Sequence, residues 1–187
     1  MNIEEAIVVA NVLEKEWCEF FIENSKSWEW HKGTWFDYAK NMDKLEEGER
    51  SEANYTSSMA DEKFQMIMRD AIMKGIKVYN EKVPLFQNGV DLVNHMRVNK
   101  YEVGNDIHKH RDHIHSIFDG KLKGIPVLSF VGLLNDDFEG GDFVFFDDYK
   151  VELKSGDVVM FPSCFLYPHQ VTEITKGTRY SFVTWAW

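Results

Sequence analysis

Apolar residues recur at helical spacing in two segments of the N-terminal half. A short apolar run at 7–12 leads into a first predicted helix over 13–25, whose apolar face holds Leu13, Trp17, Phe20 and Phe21. A second, longer helix is predicted over 61–82 from one stripe, formed by Phe64, Ile67, Met68, Ala71, Ile72, Ile76 and Tyr79. Such a stripe is typical of a helix that faces a core. Gly75 lies beside it and argues against an unbroken helix, because an interior glycine costs roughly 1 kcal/mol relative to alanine.

The pattern between and after these helices is different. Residues 41–58 are polar and acidic, have no sustained apolar period, and predict a mobile loop. After Gly89 the chain changes to short runs with turn signals between them, and strands are predicted at 90–102, 125–134, 142–146, 150–153, 157–161, 167–174 and 178–187. Gly140-Gly141 and the segment 154–157 supply tight turns.

This order of elements indicates an α+β protein. Many short strands without alternating helices favour an antiparallel sandwich or jelly roll. We predict a single domain over 1–187, in which 1–89 form a helical support and loop region and 90–187 form the jelly-roll catalytic core.

Composition narrows the classes of partner and compartment. The net charge of −10 would repel a phosphate backbone, so we expect no nucleic acid partner. Cys18 and Cys164 have no short spacing, which excludes a disulfide framework or a thiolate zinc site, and we expect both to be reduced. The first ten residues carry Glu4 and Glu5 and lack the features of a signal peptide, and no segment reaches membrane-spanning length. We therefore expect a soluble, cytoplasmic protein with no membrane partner.

The candidate chemistry comes from His110, Asp112 and His169, followed by Arg179. Two ligands separated by one residue on a strand share a face, and a distant histidine on another strand can complete one face of an octahedron. A triad of two histidines and one carboxylate leaves Fe(II) three open positions for a chelating cosubstrate and dioxygen, whereas a purely structural site is closed.

Two simpler interpretations compete with this triad. A histidine cluster can be a solvated polar loop, and His113 and His115, in a predicted loop at 113–124, fit that interpretation best. His108 and His110 also form the His-x-His pair of cupins, but the glutamate that should follow is replaced by Ile114. We rank the triad with Asp112 above any that uses His108.

Arg179 has an ordinary interpretation as a surface cation. On a strand over 178–187, however, Arg179, Ser181 and Val183 share one face. If that face points inward, the guanidinium needs an anion, and its planar fork suits a carboxylate to which Ser181 can add a hydroxyl.

These motifs together resemble the 2-oxoglutarate and Fe(II)-dependent oxygenases, and within them the prolyl 4-hydroxylase group. The resemblance covers about residues 101–187 and rests on five segments in the family's order: Tyr101-x-x-Gly104, His110-x-Asp112, Leu134 to Gly141, Leu153 to Asp157 with Phe161-Pro162, and His169 to Val171 with Lys176 to Ser181. Two positions depart from the family, which often has tyrosine at the places of Leu133 and Ile107.

The resemblance implies a double-stranded β-helix core with His110, Asp112 and His169 as iron ligands. It also implies that Arg179 pairs with the distal carboxylate of 2-oxoglutarate and that Tyr101 is its hydrogen-bonding neighbour. Fe(II), 2-oxoglutarate and dioxygen are the expected cofactor and cosubstrates, with ascorbate in support.

The first functional interpretation is a dioxygenase that hydroxylates proline in a peptide or protein and releases succinate and carbon dioxide, with the loops at 41–58 and 113–124 closing over the substrate. The alternatives are hydroxylation of another side chain or a free amino acid, and, more weakly, oxidation of nucleic acid. A rival from another class is a non-catalytic jelly-roll protein that binds metal for stability, although such a protein needs neither Arg179 nor an open triad.

Overall fold

The computed structural model of the chain describes residues 2–32, 54–57, 62–112 and 126–187, with the backbone alone at 54–57. Two α-helices lie in this part of the chain, α1 at Lys15–Ser25 and α2 at Glu62–Lys82, with short 3-10 turns at Ile3–Ala6 and Pro84–Phe86. Both predicted helices are present. In the described residues, neither helix has the length and apolar character that a bilayer crossing requires. The expected cytoplasmic location stays a prediction.

Gly75 does not interrupt α2. It is buried against the sheet, and a Cβ atom at this position would lie 3.0 Å from the Met160 sulfur. The glycine therefore allows close approach of helix and sheet, which explains its place beside the apolar stripe.

Thirteen strands are found in the described residues. In chain order they are β1 Val8–Asn11, β2 His31–Lys32, β3 Asn54–Ser57, β4 Arg97–Tyr101, β5 Ile107–His110, β6 Leu128–Leu133, β7 Glu139–Gly140, β8 Phe143–Phe145, β9 Tyr149–Val151, β10 Asp157–Pro162, β11 His169–Val171, β12 Ile174–Lys176 and β13 Arg179–Ala186.

The strands form two main sheets with antiparallel pairing throughout. The larger has the order β1-β10-β6-β13-β4-β3-β2, the smaller has the order β5-β11-β8-β9, and β12 pairs with β7 separately. This is the predicted α+β architecture, a double-stranded β-helix core of antiparallel strands supported by N-terminal helices. The region before residue 90 also contributes β1, β2 and β3 to the larger sheet.

The larger sheet separates two hydrophobic cores. Alternation along β6 shows the division, since Phe130 packs with the helices on one face and Val131 packs with the smaller sheet on the other. The core on the helix side includes Phe64 and Met68 of α2, and the core between the sheets includes Phe143 of β8. The face of the larger sheet that carries Val131 therefore lines the interior of the jelly roll.

Several predicted boundaries were wrong. Only Arg97–Tyr101 of the predicted strand at 90–102 is a strand, and Val93 upstream makes an isolated bridge to Ala186. The segment 167–174 is not one strand, because β11 pairs in the smaller sheet and the chain then turns into β12, which pairs with β7. Within the predicted loop 41–58, residues 54–57 form β3 against β4, while the rest of that loop and the loop at 113–124 lie outside the described residues.

Gly132 of β6 gives a test of this packing. It lies opposite Phe182 of β13, and a Cβ atom added to the glycine would overlap the Phe182 ring. We expect Gly132→Ala to lower the free energy of unfolding in urea by roughly 1–3 kcal/mol, the usual cost of overpacking. The double variant Gly132→Ala/Phe182→Leu should recover part of this loss, since the smaller side chain makes room. Strictly additive effects of the two changes would contradict the contact.

Candidate metal centre

The predicted ligands His110, Asp112 and His169 come together where β5 pairs with β11. His110 ends β5 and is the cross-strand partner of His169, the first residue of β11. The Asp112 Oδ1 atom lies 3.6 Å from His110 Nε2 and 3.7 Å from His169 Nε2. One ligand atom from each residue falls within 4.8 Å of the others. Three groups so arranged can hold one divalent ion on one side and leave its other side open.

Backbone contacts orient both imidazole rings. His110 Nδ1 lies 2.9 Å from the His108 carbonyl oxygen, and His169 Nδ1 lies 3.1 Å from the Tyr167 carbonyl oxygen. A carbonyl can only accept a hydrogen bond, so Nδ1 carries the proton in both rings and Nε2 keeps its lone pair. Both lone pairs are then free for a metal.

The pKa shifts of the three residues also suit metal binding. Burial alone would raise the pKa of Asp112, but the two histidines and a hydrogen bond with Ser129 outweigh it and lower this pKa well below its ordinary value. Burial lowers the pKa of His169 to about 4, while Asp112 opposes that shift. Burial also acts to lower the pKa of His110, but the hydrogen bond and charge of Asp112 raise it overall. At neutral pH the carboxylate is ionised and His169 is neutral, as metal ligation requires.

A buried pair of hydroxyls supports Asp112. Ser129 of β6 is fully buried and close enough to Asp112 to lower its pKa, and its Oγ lies 2.6 Å from Ser163 Oγ. Neither serine is among the residues predicted from the sequence. The available signal was a serine inside an otherwise apolar strand, since a hydroxyl in such a place needs a polar partner.

Aromatic side chains pack around His169. The rings of Phe161, Phe143 and Phe145 have their centroids 4.8, 5.3 and 5.8 Å from that of His169. His169 itself is 2% exposed. This packing limits rotation of the imidazole and keeps water from one side of the metal site.

Arg179 faces the interior of the jelly roll. It is 1% exposed, and its Nε and one terminal nitrogen, like the Ser181 hydroxyl on the same face, have no hydrogen-bond partner among the described residues. Tyr101 lies opposite on β4, with its ring centroid 5.0 Å from the guanidinium carbon. Burial lowers the pKa of Arg179, and Tyr101 opposes this by charge and hydrogen bonding. A buried cation with unsatisfied donors is costly unless an anion binds to it.

Gly141 makes room for this arginine. Its backbone has a positive φ of 64°, and a Cβ atom there would lie 3.0 Å from Arg179 Cδ and overlap Ile174 Cδ1. The Gly140-Gly141 turn is therefore part of the Arg179 environment as well as a connection between strands.

His108 does not join the metal group. His108 pairs with Asp106 at 3.1 Å, and its side chain is 45% exposed. In the part of the chain that the structure describes, it belongs to no metal-binding cluster. His113 and His115 lie outside the described residues.

Comparisons with known proteins agree with this geometry. Residues 96–187 match the model of the 2OG-Fe(II) oxygenase superfamily, and the matched segment contains the triad and Arg179. The C-terminal half of the chain is thus similar to this superfamily, and the expected resemblance to its prolyl 4-hydroxylase group is confirmed. The matched family is that of the expected enzyme class, the Fe(II)- and 2-oxoglutarate-dependent oxygenases.

Two curated relatives and one solved structure show how far the similarity extends. The chain is 47% identical over 53 residues to a PKHD-type hydroxylase of Acinetobacter baumannii, a match of 27% of this chain and 22% of that protein. It is 31% identical over 112 residues to a PKHD-type hydroxylase of Paraburkholderia phytofirmans, a match of 56% of this chain and 48% of that protein. The chain thus spans less than half the length of these relatives.

In fold, the chain is similar to a prolyl hydroxylase from Trichoplax adhaerens, solved with a peptide fragment of a hypoxia inducible factor oxygen degradation domain. The TM-score is 0.71 at 13% identity, over 98% of this chain and 84% of that one. This likeness confirms the predicted fold.

Metal binding tests the three-residue group. We expect the wild-type protein to bind one Mn(II) ion, and His169→Ala to lose most of that affinity because a ligand is removed while the other two remain. His108→Ala should keep it, because this histidine pairs with Asp106. Titration followed by the electron paramagnetic resonance of free Mn(II) measures both. Loss in His108→Ala with full retention in His169→Ala would reverse the assignment.

The Ser129 hydroxyl should tune the same affinity. Groups that orient metal ligands typically contribute 10- to 100-fold, and we expect Ser129→Ala to weaken Mn(II) binding by roughly this factor. Ser25→Ala is the matched control, since Ser25 is a buried serine whose hydroxyl bonds a carbonyl within α1. Equal affinities in the two variants would remove Ser129 from the site.

Proposed function

We propose that this chain is a non-haem Fe(II) and 2-oxoglutarate-dependent dioxygenase in which His110, Asp112 and His169 hold the iron. Arg179, with Tyr101 and Ser181, binds the cosubstrate. The observation that carries the proposal is the coexistence of an open metal triad with a buried, unsatisfied arginine in one jelly-roll interior. The triad alone fits many metal proteins, but the arginine calls for a dianionic ligand that reaches both groups.

When bound, Fe(II) supplies the chemistry in which dioxygen oxidises 2-oxoglutarate to succinate and carbon dioxide and one oxygen atom enters a substrate C–H bond. The protein groups bind and orient. Arg179 offers a planar fork to the distal carboxylate of 2-oxoglutarate, and the Ser181 hydroxyl supplies a further donor beside it. The aromatic residues around His169 exclude water from that side of the site, which strengthens these charged contacts.

For the substrate we propose proline within a peptide or protein. The support is the prolyl hydroxylase fold and the hydroxylase relatives, one fold neighbour having been solved with a peptide. Hydroxylation of another side chain or of a free amino acid is the alternative, because substrate choice depends on surfaces that the fold does not determine. A metal-binding protein without catalysis is disfavoured by Arg179, which a structural site would not need.

The direct experiment incubates the protein with Fe(II), 2-oxoglutarate, ascorbate and a set of proline-containing peptides. Mass spectrometry should find a peptide heavier by one oxygen atom, with succinate formed in step, and His169→Ala should form neither. Omitting ascorbate should reduce the number of turnovers if it supports the reaction. Oxidation of a free amino acid with no peptide product would favour the alternative, and no succinate under any condition would reject the function.

Arg179 variants test the cosubstrate site separately. Charge-assisted hydrogen bonds contribute roughly 1.5–3 kcal/mol, so Arg179→Ala should weaken 2-oxoglutarate binding by one to two orders of magnitude while Mn(II) affinity stays near that of the wild type. Arg179→Lys should recover part of the loss, because it keeps the charge without the fork. The control is Lys176→Ala, which removes an exposed cation paired with Glu139. Unchanged 2-oxoglutarate affinity in Arg179→Ala would exclude the proposed role.

A further inference from the structure

We infer that Arg97, held against Trp185, forms a second anion site that binds a carboxylate of the substrate at the metal end of the jelly roll. The inference rests on the proposed function, because it assigns a role to the part of the jelly-roll interior that the proposed cosubstrate does not occupy. The sequence analysis singled out neither residue for this role.

The register of β4 places Arg97 on the interior face. Tyr101 packs in the core between the sheets, and side chains alternate along a strand, so Asn99 and Arg97 share its face. Tyr101 pairs with Arg179 at one end of β4, and Arg97 pairs with Val183 at the other. The same strand therefore presents groups to two different ends of the interior.

Trp185 and Ser129 show which end holds the metal. Ser129 is close enough to Asp112 to lower its pKa and is the cross-strand partner of Trp185. On β13, Trp185 is six residues from Arg179, a distance of about 20 Å along a strand. A cosubstrate that joins the metal to Arg179 occupies the interior on the Arg179 side. Arg97 and Trp185 lie away from the Arg179 side of the interior, where a substrate has to approach the metal.

The contact between the two residues favours a planar anion as the ligand. The guanidinium carbon of Arg97 lies 5.6 Å from the Trp185 ring centroid, and both side chains are partly buried. An arginine held against an aromatic ring keeps N–H donors at its edge, in the geometry that a carboxylate accepts. The charge of Arg97 also reaches the metal group, because it acts on His110.

Two sources can supply such a carboxylate. One is an acidic side chain next to the target proline, and the other is the α-carboxylate of a chain end or a free amino acid. Both present the same group to Arg97. Peptides that differ only in that group can therefore distinguish the sources and test the site at once.

The test measures binding without turnover, in protein loaded anaerobically with Fe(II) and 2-oxoglutarate. The probes are two matched pairs: acetyl-Gly-Pro-Glu-amide against acetyl-Gly-Pro-Gln-amide, and acetyl-Gly-Pro with a free carboxylate against its amide. We expect the acid of at least one pair to bind roughly 10- to 100-fold more tightly than its neutral partner. The pair that shows the preference identifies the source.

Three variants assign the preference. Arg97→Gln should abolish it, and Arg97→Lys should keep part of it. Lys100→Gln should leave it intact, because Lys100 is on the same strand but lies over Trp30 on the helix side of the sheet. All variants should keep wild-type affinity for 2-oxoglutarate, which reports on folding and on the Arg179 site. Lys100→Gln should also leave the aerobic rate of uncoupled succinate formation unchanged.

Equal binding of acid and amide in the wild type, or a preference that survives Arg97→Gln, would overturn the inference. An Arg97-dependent preference in a protein that forms no succinate would reject the oxygenase function and leave the anion site standing. The two proposals therefore fail separately.

Discussion

The pairing of β5 with β11 is the constraint on which the site depends. It sets His110 directly across from His169, and the chain needs only two further residues to bring Asp112 to both. The backbone carbonyls two residues before each histidine then fix which nitrogen faces the centre. A slip of one residue in this register would turn one histidine to the opposite face, and no local change could restore the group. The smaller sheet is thus built around a metal-binding edge, and the aromatic packing of β8 and β10 holds that edge in place.

The larger sheet supplies a second constraint, an arginine that is buried before any ligand is present. Arg179 is 1% exposed and has unsatisfied donors, which destabilises the ligand-free fold, and the Gly141 turn packs directly against it. Such a group favours anion binding, because the desolvation penalty of the guanidinium is incurred on folding and not on binding. This arrangement explains why the interior combines a core of phenylalanine and valine with a polar strip along β4 and β13. In the proposed function, a cosubstrate between the strip and the metal edge contacts both sheets.

Much of this could be read from the sequence, and the reasons differ from one element to the next. His110 and Asp112 are close in the chain, and their order relative to His169 and Arg179 follows a family pattern, so these four residues were found without any structure. The extent of α2 followed from its apolar stripe. The place of Ser129 and the role that we propose for Arg97 depend on which strands pair and in which register, and spacing along the chain does not contain that information. Residues Asn54–Ser57 fall in a predicted loop because a short polar strand has no apolar alternation. The division between β11 and β12 is not predicted, because one apolar run continues across the change of sheet.

The central claim is that one molecule of 2-oxoglutarate joins the metal edge of the smaller sheet to Arg179 of the larger one. A crystal structure with Mn(II) and 2-oxoglutarate, grown without oxygen, tests it most directly. The account predicts one ion within bonding distance of His110 Nε2, the Asp112 carboxylate and His169 Nε2, with the distal carboxylate of 2-oxoglutarate in contact with the Arg179 guanidinium and Ser181. An ion bound through His108, or a cosubstrate whose distal carboxylate leaves Arg179 without an anion, would contradict it.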